Sequence, residues 1–312
     1  MLPAILVTVY SRLDSLKECI QSLKDCENSN EFVLYISSDA AFCDSDEDDI
    51  AAVREFILNI SGFLKVVPII HNENIGSWNS IHSSIDLILS EYESFIFLED
   101  DVVVGKNFLN FMSSSLQMYC DNTDISFICS YVWPDYSFSK YTDDEVFLWR
   151  GYCPWGMATW AHKWKQIDFE LMNYPKYLAN ARLQSDFECI DPSAPLILKD
   201  DRSCAIKAMD VRICFNLFME GKSSLFPTVP LSVNRGHDGR GEHGSTQFEY
   251  MEQVVSNSLP LLNSSISVNE SIQMYIYSKK FNRLRHKIIP FFKYIGVYDY
   301  LFTLYNRFRS GL

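Results

Sequence analysis

The chain has 312 residues, 47% hydrophobic and 21% charged, which is enough to bury a sizeable core in one large domain or one and a half. A net charge of −13 argues against general nucleic-acid binding. No uninterrupted apolar run reaches the roughly 18 residues of a membrane-spanning helix, and the nine cysteines are scattered without a CxxC pair, which fits buried free thiols in a reducing cytoplasm rather than a disulfide framework.

The first residues lack the basic segment of a signal peptide and open into a buried strand over 4–10, AILVTVY. With a cytoplasmic setting, the N-x-S/T sequons at Asn59, Asn263 and Asn269 read as chance matches. Asp14 is placed to cap a helix in which Leu16, Cys19, Ile20 and Leu23 follow helical spacing. Phe32 to Ile36 reads as a second strand, ending at Ser37-Ser38-Asp39. The acidic run Asp44 to Asp49 leads into a helix with Ile50, Val53, Ile57 and Ile60 on one face; it lacks the central Gly and final Glu of a calcium-binding EF-hand loop.

Leu64 to Ile70 is a third strand, Trp78, Ile81, Ile85 and Ile88 mark another helix, and Phe95 to Leu98 is a fourth strand. Strands alternating with helices predict an α/β fold, a mostly parallel sheet with helices on both faces. After about residue 125 the alternation fades. Ile125 to Tyr131 reads as one more strand. Residues 131–164 are dense in aromatics, which suit core packing or stacking on sugar faces, and a helix starting near Ala208 is ended by Gly221.

The fourth strand ends in Glu99-Asp100-Asp101. Three adjacent carboxylates at a strand end are costly unless a cation neutralises them. Mg²⁺ or Mn²⁺ carrying nucleotide phosphates would do so, at the strand ends where open α/β sheets bind ligands. The other strand ends supply Tyr10-Ser11-Arg12, Ser37-Ser38-Asp39 and Asn72-Glu73-Asn74-Ile75-Gly76.

In this order of motifs the chain resembles GT-A-type nucleotide-sugar glycosyltransferases over roughly residues 4–245. It is most similar to inverting enzymes around N-acetylglucosaminyltransferase I and to bacterial family 2 enzymes. The resemblance implies a GT-A, Rossmann-like sheet and assigns Asp101 to the metal, Asp100 to the ribose and Glu99 to a donor-sugar hydroxyl. It implies that Asp39 accepts from the base imide, as uracil or thymine would require, and that Tyr10 and Arg12 touch the nucleotide or its phosphates. Asn74 and Gly76 match a segment whose backbone approaches the nucleotide. Trp155 and Gly156 fall in Gly151-Tyr152-Cys153-Pro154-Trp155-Gly156, which resembles the loop closing over the donor sugar.

Asp210, in Ala208-Met209-Asp210-Val211-Arg212, matches the segment that carries the catalytic base, with Asp200 and Asp201 as rivals. The glycine-rich run Asn234 to Gly244 resembles a late metal-site segment, with His243 as the ligand and His237 second. The family 2 Q-x-x-R-W motif is absent, which argues against a processive synthase.

The charge is segregated. Residues 279–312 hold eight basic side chains and one acidic, a net +7, leaving −20 on the rest. Interleaved with aromatic and aliphatic residues, they fit an interfacial helix pair on an anionic membrane, or a helix covering the core. The expected organisation is a glycosyltransferase domain over 1–250, with a nucleotide half to about 125 and an acceptor half beyond it, followed by a helical extension over 251–312. The expected function is metal-dependent inverting transfer of a sugar from a nucleoside diphosphate, UDP favoured, to a glycan or lipid-linked glycan acceptor. The expected place is the inner face of a bacterial cytoplasmic membrane, in surface-polysaccharide synthesis. A sugar-phosphate nucleotidyltransferase would need a glycine-rich loop that VTVYSRLD over 7–14 lacks. A non-catalytic glycan-binding protein is the third possibility.

Overall fold

The computed structural model describes residues 1–202, 207–236 and 252–282. The chain divides into two compact units, Met1–Leu171 with Lys207–Asn269, and Met172–Ile206 with Glu270–Leu312. Contacts therefore do not group the chain at residue 250. The second unit joins an internal segment to the C-terminal one.

In chain order the elements are β1 (Ala4–Val9), α1 (Leu13–Lys24), β2 (Val33–Ser38), α2 (Glu47–Leu58), β3 (Lys65–Ile70), α3 (Gly76–Ile88), β4 (Ser94–Glu99), β5 (Val102–Val104) and α4 (Phe108–Met118). Then come β6 (Ile125–Cys129), β7 (Val146–Trp149), β8 (Met157–Trp160), α5 (Ala161–Trp164), α6 (Tyr174–Leu178), α7 (Ala181–Glu188), α8 (Ala194–Arg202), α9 (Met209–Glu220), β9 (Ser223–Pro227), β10 (Ser232–Asn234) and, last, α10 (Glu270–Asn282), labelled here in sequence.

The first unit is built on an eight-stranded mixed sheet in the order β3-β2-β1-β4-β8-β6-β9-β7, with a separate β10-β5 pair. β1 pairs parallel with β2 and β4, β2 with β3, and β6 with β9; β8 is antiparallel to β4 and β6, and β7 to β9. Only β7 and β8 run against the others, so the fold is α/β with a mostly parallel sheet, as the alternation predicts. β1 is the most apolar strand because it lies between two parallel partners with its faces covered; Ala4 to Val7 are fully buried. β3 is the edge strand, half-exposed, and tolerates Pro68 there because no outer partner asks for its N–H.

α1 buries Leu16, Cys19, Ile20 and Leu23, as its spacing predicts, but it begins one residue before Asp14. Asp14 thus favours the helix dipole from the first turn and is not the cap. The acidic run splits into a 3-10 turn, Asp44–Asp46, and the first turn of α2. Among the described residues, all eight cysteines are free; Cys204 lies outside them.

Strands β5 and β7 to β10 escape the alternation rule. They are three to five residues long, and the aromatics around them are mainly core: Tyr131, Trp133, Tyr136, Phe138, Phe147, Trp149, Tyr152, Trp160 and Trp164 are all buried. Lys163 is buried as well. Its Nζ lies 3.6 Å from the centroid of the Trp160 ring and donates to the carbonyls of Tyr119 (3.3 Å), Asn122 (2.9 Å) and Ile125 (2.7 Å), tying the end of α4 to β6.

In the second unit, Asn180 caps α7 by accepting from the N–H groups of Arg182 and Leu183. Lys280 of α10 donates to Asp191 at 2.6 Å. No helix among the described residues is long and apolar enough to cross a membrane.

Candidate active site

Parallel pairing fixes where the acidic triplet lies. Thr8 of β1 stands opposite Glu99 of β4, so the turn that follows β1 is brought beside the triplet. Arg12, in that turn, donates its guanidinium to Asp100 and, at 2.9 Å, to Asp101. The cation that three adjacent carboxylates demand is thus supplied in part by the chain itself. Asp100 and Asp101 are 3% and 7% exposed, which makes the pairing consequential. Burial pushes the Asp100 carboxyl up to about 6 even though Arg12 pulls it down. Glu99 is raised further, by burial and then by the charges of Asp101 and Asp100.

Asp101 is the most constrained of the three. Asn234 donates to it at 3.0 Å, and its carbonyl accepts from the N–H of Arg235. The β10-β5 pair makes this possible by setting Asn234 opposite Val102. Gly236 follows, where a Cβ would overlap the Asp101 carboxylate. Asn234 and Gly236 belong to the glycine-rich segment singled out in the sequence, but only strand pairing reveals that their partner is Asp101.

Asp39, at the end of β2, accepts from the backbone N–H groups of Ala40 (2.9 Å), Ile75 (3.1 Å) and Gly76 (2.8 Å). It therefore caps the start of α3, where Gly76 takes φ +78°. Asn74 donates to the Ala40 carbonyl at 2.7 Å, closing the same loop. The Tyr10 hydroxyl donates to Asp46 and accepts from the Phe42 N–H, so it shapes the acidic loop. Tyr10, Asp39, Asn74 and Gly76 thus form the frame around the strand ends, and each has a structural partner.

The 151–156 loop reaches the triplet through β8. Met157 pairs with Phe97, and the register carried two residues on sets Trp155 across from Glu99. Trp155 is half-buried, edge-on to Tyr131 at 4.8 Å. Gly156 takes φ +86°, and a Cβ there would overlap the Ser130 hydroxyl.

Asp210 opens α9 and is exposed, with its carboxylate accepting from the Val211 N–H at 2.8 Å. Its charge reaches Glu99. The rivals Asp200 and Asp201 lie on α8 in the second unit, and Asp201 is buried. His237 and His243 lie outside the described residues.

Among the described residues, no three His, Cys, Asp or Glu side chains converge on a metal-sized site. Asp100 and Asp101 nevertheless have the donor chemistry of an open Mg²⁺ or Mn²⁺ site, which takes one or two carboxylates and leaves the rest to phosphate and water. Each carboxylate offers about four acceptor positions, more than Arg12 and Asn234 use.

No family model matches the chain, and no curated protein matches it. Among solved structures it is similar to S. aureus TarS, at 12% identity over 54% of this chain and 30% of that one, with a TM-score of 0.36. It is also similar to S. aureus TarS 1–349, at 12% identity over 73% of this chain and 57% of that one, with a TM-score of 0.39. The chain thus spans less than two thirds of either TarS chain. Likeness this slight assigns no activity; the side chains have to carry that.

Proposed function

We propose that the protein is a metal-dependent, inverting glycosyltransferase that moves one sugar from a nucleoside diphosphate, with UDP favoured, to a hydroxyl of a glycan or lipid-linked glycan. The observation that carries this reading is the meeting of Arg12, Asp100 and Asp101 at the end of β4, with Asp210 in electrostatic reach of Glu99. A buried pair of carboxylates joined to a guanidinium suits a diphosphate bound together with a divalent cation. Asp100 and Asp101 would hold that cation, whose charge offsets the negative charge on the departing diphosphate.

Asp210 is exposed at a helix start and is the candidate base. It takes the proton from the acceptor hydroxyl as that oxygen attacks the anomeric carbon, and the bond to the diphosphate breaks with its electron pair going to the phosphate oxygen. Glu99 faces the same space and would bond a donor-sugar hydroxyl. The setting we favour is surface-polysaccharide assembly on the cytoplasmic membrane face, because the basic C-terminal segment would hold the acidic body there.

Titration calorimetry with UDP and Mn²⁺, followed by a transfer assay, tests the reading. Wild type should bind UDP only with the metal, and Asp101→Ala should lose that binding. Asp210→Asn should keep it while kcat falls by about 10²–10⁴-fold. Unchanged binding by Asp101→Ala overturns the metal assignment. Tight binding with neither transfer nor hydrolysis would mark a binding protein.

A further inference from the structure

Tyr152 lies in the loop between β7 and β8, which the β4-β8 pairing sets against the triplet. It is 7% exposed, and its ring packs edge-on to Phe127 with centroids 5.0 Å apart. Among the described residues its hydroxyl has no hydrogen-bond partner. Such a group costs about 1–3 kcal/mol, so a native chain keeps one where it has a use.

The surroundings of the hydroxyl show what that use is. Burial is the main cause of its pKa lying well above the usual phenol value; Cys129 and Cys153 add to this, and so do the charges of Asp210 and Glu99. Tyr152 is therefore a neutral phenol whose tip is within reach of both site carboxylates. An ionised carboxylate only accepts hydrogen bonds, whereas a phenol also donates. A sugar hydroxyl does both. Against Glu99 and Asp210 alone it could give its proton, but its oxygen would find no donor.

We infer that the Tyr152 hydroxyl donates to an oxygen of the donor sugar ring held between Glu99 and Asp210, making Tyr152 a residue that selects the sugar. This rests on the nucleotide-sugar reading above. The aromatic body anchors the tip: Phe127 packs on it inside the sheet, so the donor is held at a fixed depth.

The test compares UDP, UDP-glucose and UDP-N-acetylglucosamine, each with Mn²⁺, on wild type and Tyr152→Phe. Phenylalanine keeps the packing on Phe127 and removes the unpaired hydroxyl, so the melting temperature should hold or rise. UDP affinity should stay within about twofold, while affinity for the preferred nucleotide sugar falls by about 5- to 20-fold, the value of one hydrogen bond. On wild type alone, deoxy analogues of that sugar should include one that binds weaker by a similar factor, and Tyr152→Phe should not distinguish it from the parent. If wild type binds none of the three ligands, the nucleotide-sugar reading falls and takes this inference with it. If wild type binds them and Tyr152→Phe binds them equally well, or loses UDP and nucleotide sugar alike, the inference alone is overturned.

Discussion

Arg12 carries two buried carboxylates by itself. Removing one partner of a buried ionic group leaves uncompensated charge, which costs more than the pair contributes. Arg12→Met should therefore lower stability by about 3 kcal/mol, read as the urea midpoint. The same two carboxylates then lack their guanidinium, so Mn²⁺ should raise the melting temperature of Arg12→Met more than that of wild type. Equal shifts would mean that Asp100 and Asp101 do not hold the ion. The Arg12 cluster also shows where reading residues one at a time ends. An arginine after the first strand and a triplet after the fourth are visible in the sequence, but nothing in their spacing says that one neutralises the other.

At the scale of elements, two polar contacts tie helices to the sheet. Asp39 joins the end of β2 to the start of α3 through three backbone N–H groups. Asp39→Ala should cost about 0.5–2 kcal/mol and speed hydrogen exchange over Ile75 and Gly76, whereas a role limited to the nucleotide base would leave the apo protein unchanged. Lys163 closes α4 at its other end. Burial lowers its pKa to about 8 from the ordinary lysine value. Between about pH 8 and 10.4 the unfolded chain keeps this proton and the folded one does not, so rising pH favours the folded state over that window. Buried tyrosines and cysteines titrate in the opposite sense there, so the comparison must be internal. The stability of wild type relative to Lys163→Met should rise by about 1–3 kcal/mol across the window. A constant difference would mean that the ammonium is not desolvated.

At the scale of the molecule the charge is divided, with +7 on residues 279–312 and −20 on the rest. Residues 283–312 lie outside the described residues. Their composition alone supports the prediction that deleting them releases the protein from anionic vesicles while sparing transfer to a soluble acceptor. Each basic residue near such a surface contributes about 1 kcal/mol, screened over about 10 Å at 0.1 M salt. Apolar burial is not screened, so vesicle co-sedimentation of the full chain should weaken with salt without vanishing. Equal sedimentation of full and shortened chains, or insolubility of the shortened one, would make the segment structural.

The sequence by itself determined the parallel half of the sheet. β1 to β4 and their helices each bury a local pattern, and local periodicity is what a sequence displays. It also determined the chemistry of the strand ends, because acidic, basic and glycine residues at such places have few other uses. The tertiary structure alone decided the rest. The short strand β8 enters the sheet between β4 and β6, antiparallel to both, and carries Tyr152, Trp155 and Gly156 to the triplet. β10 brings Asn234 to Asp101 across more than a hundred residues. A helix at the C-terminus groups with an internal segment through Asp191 and Lys280. These pairings are non-local and made by short elements, so no periodic signal announces them. Their energy comes from burial and hydrogen bonding between parts of the chain that meet only once it has folded.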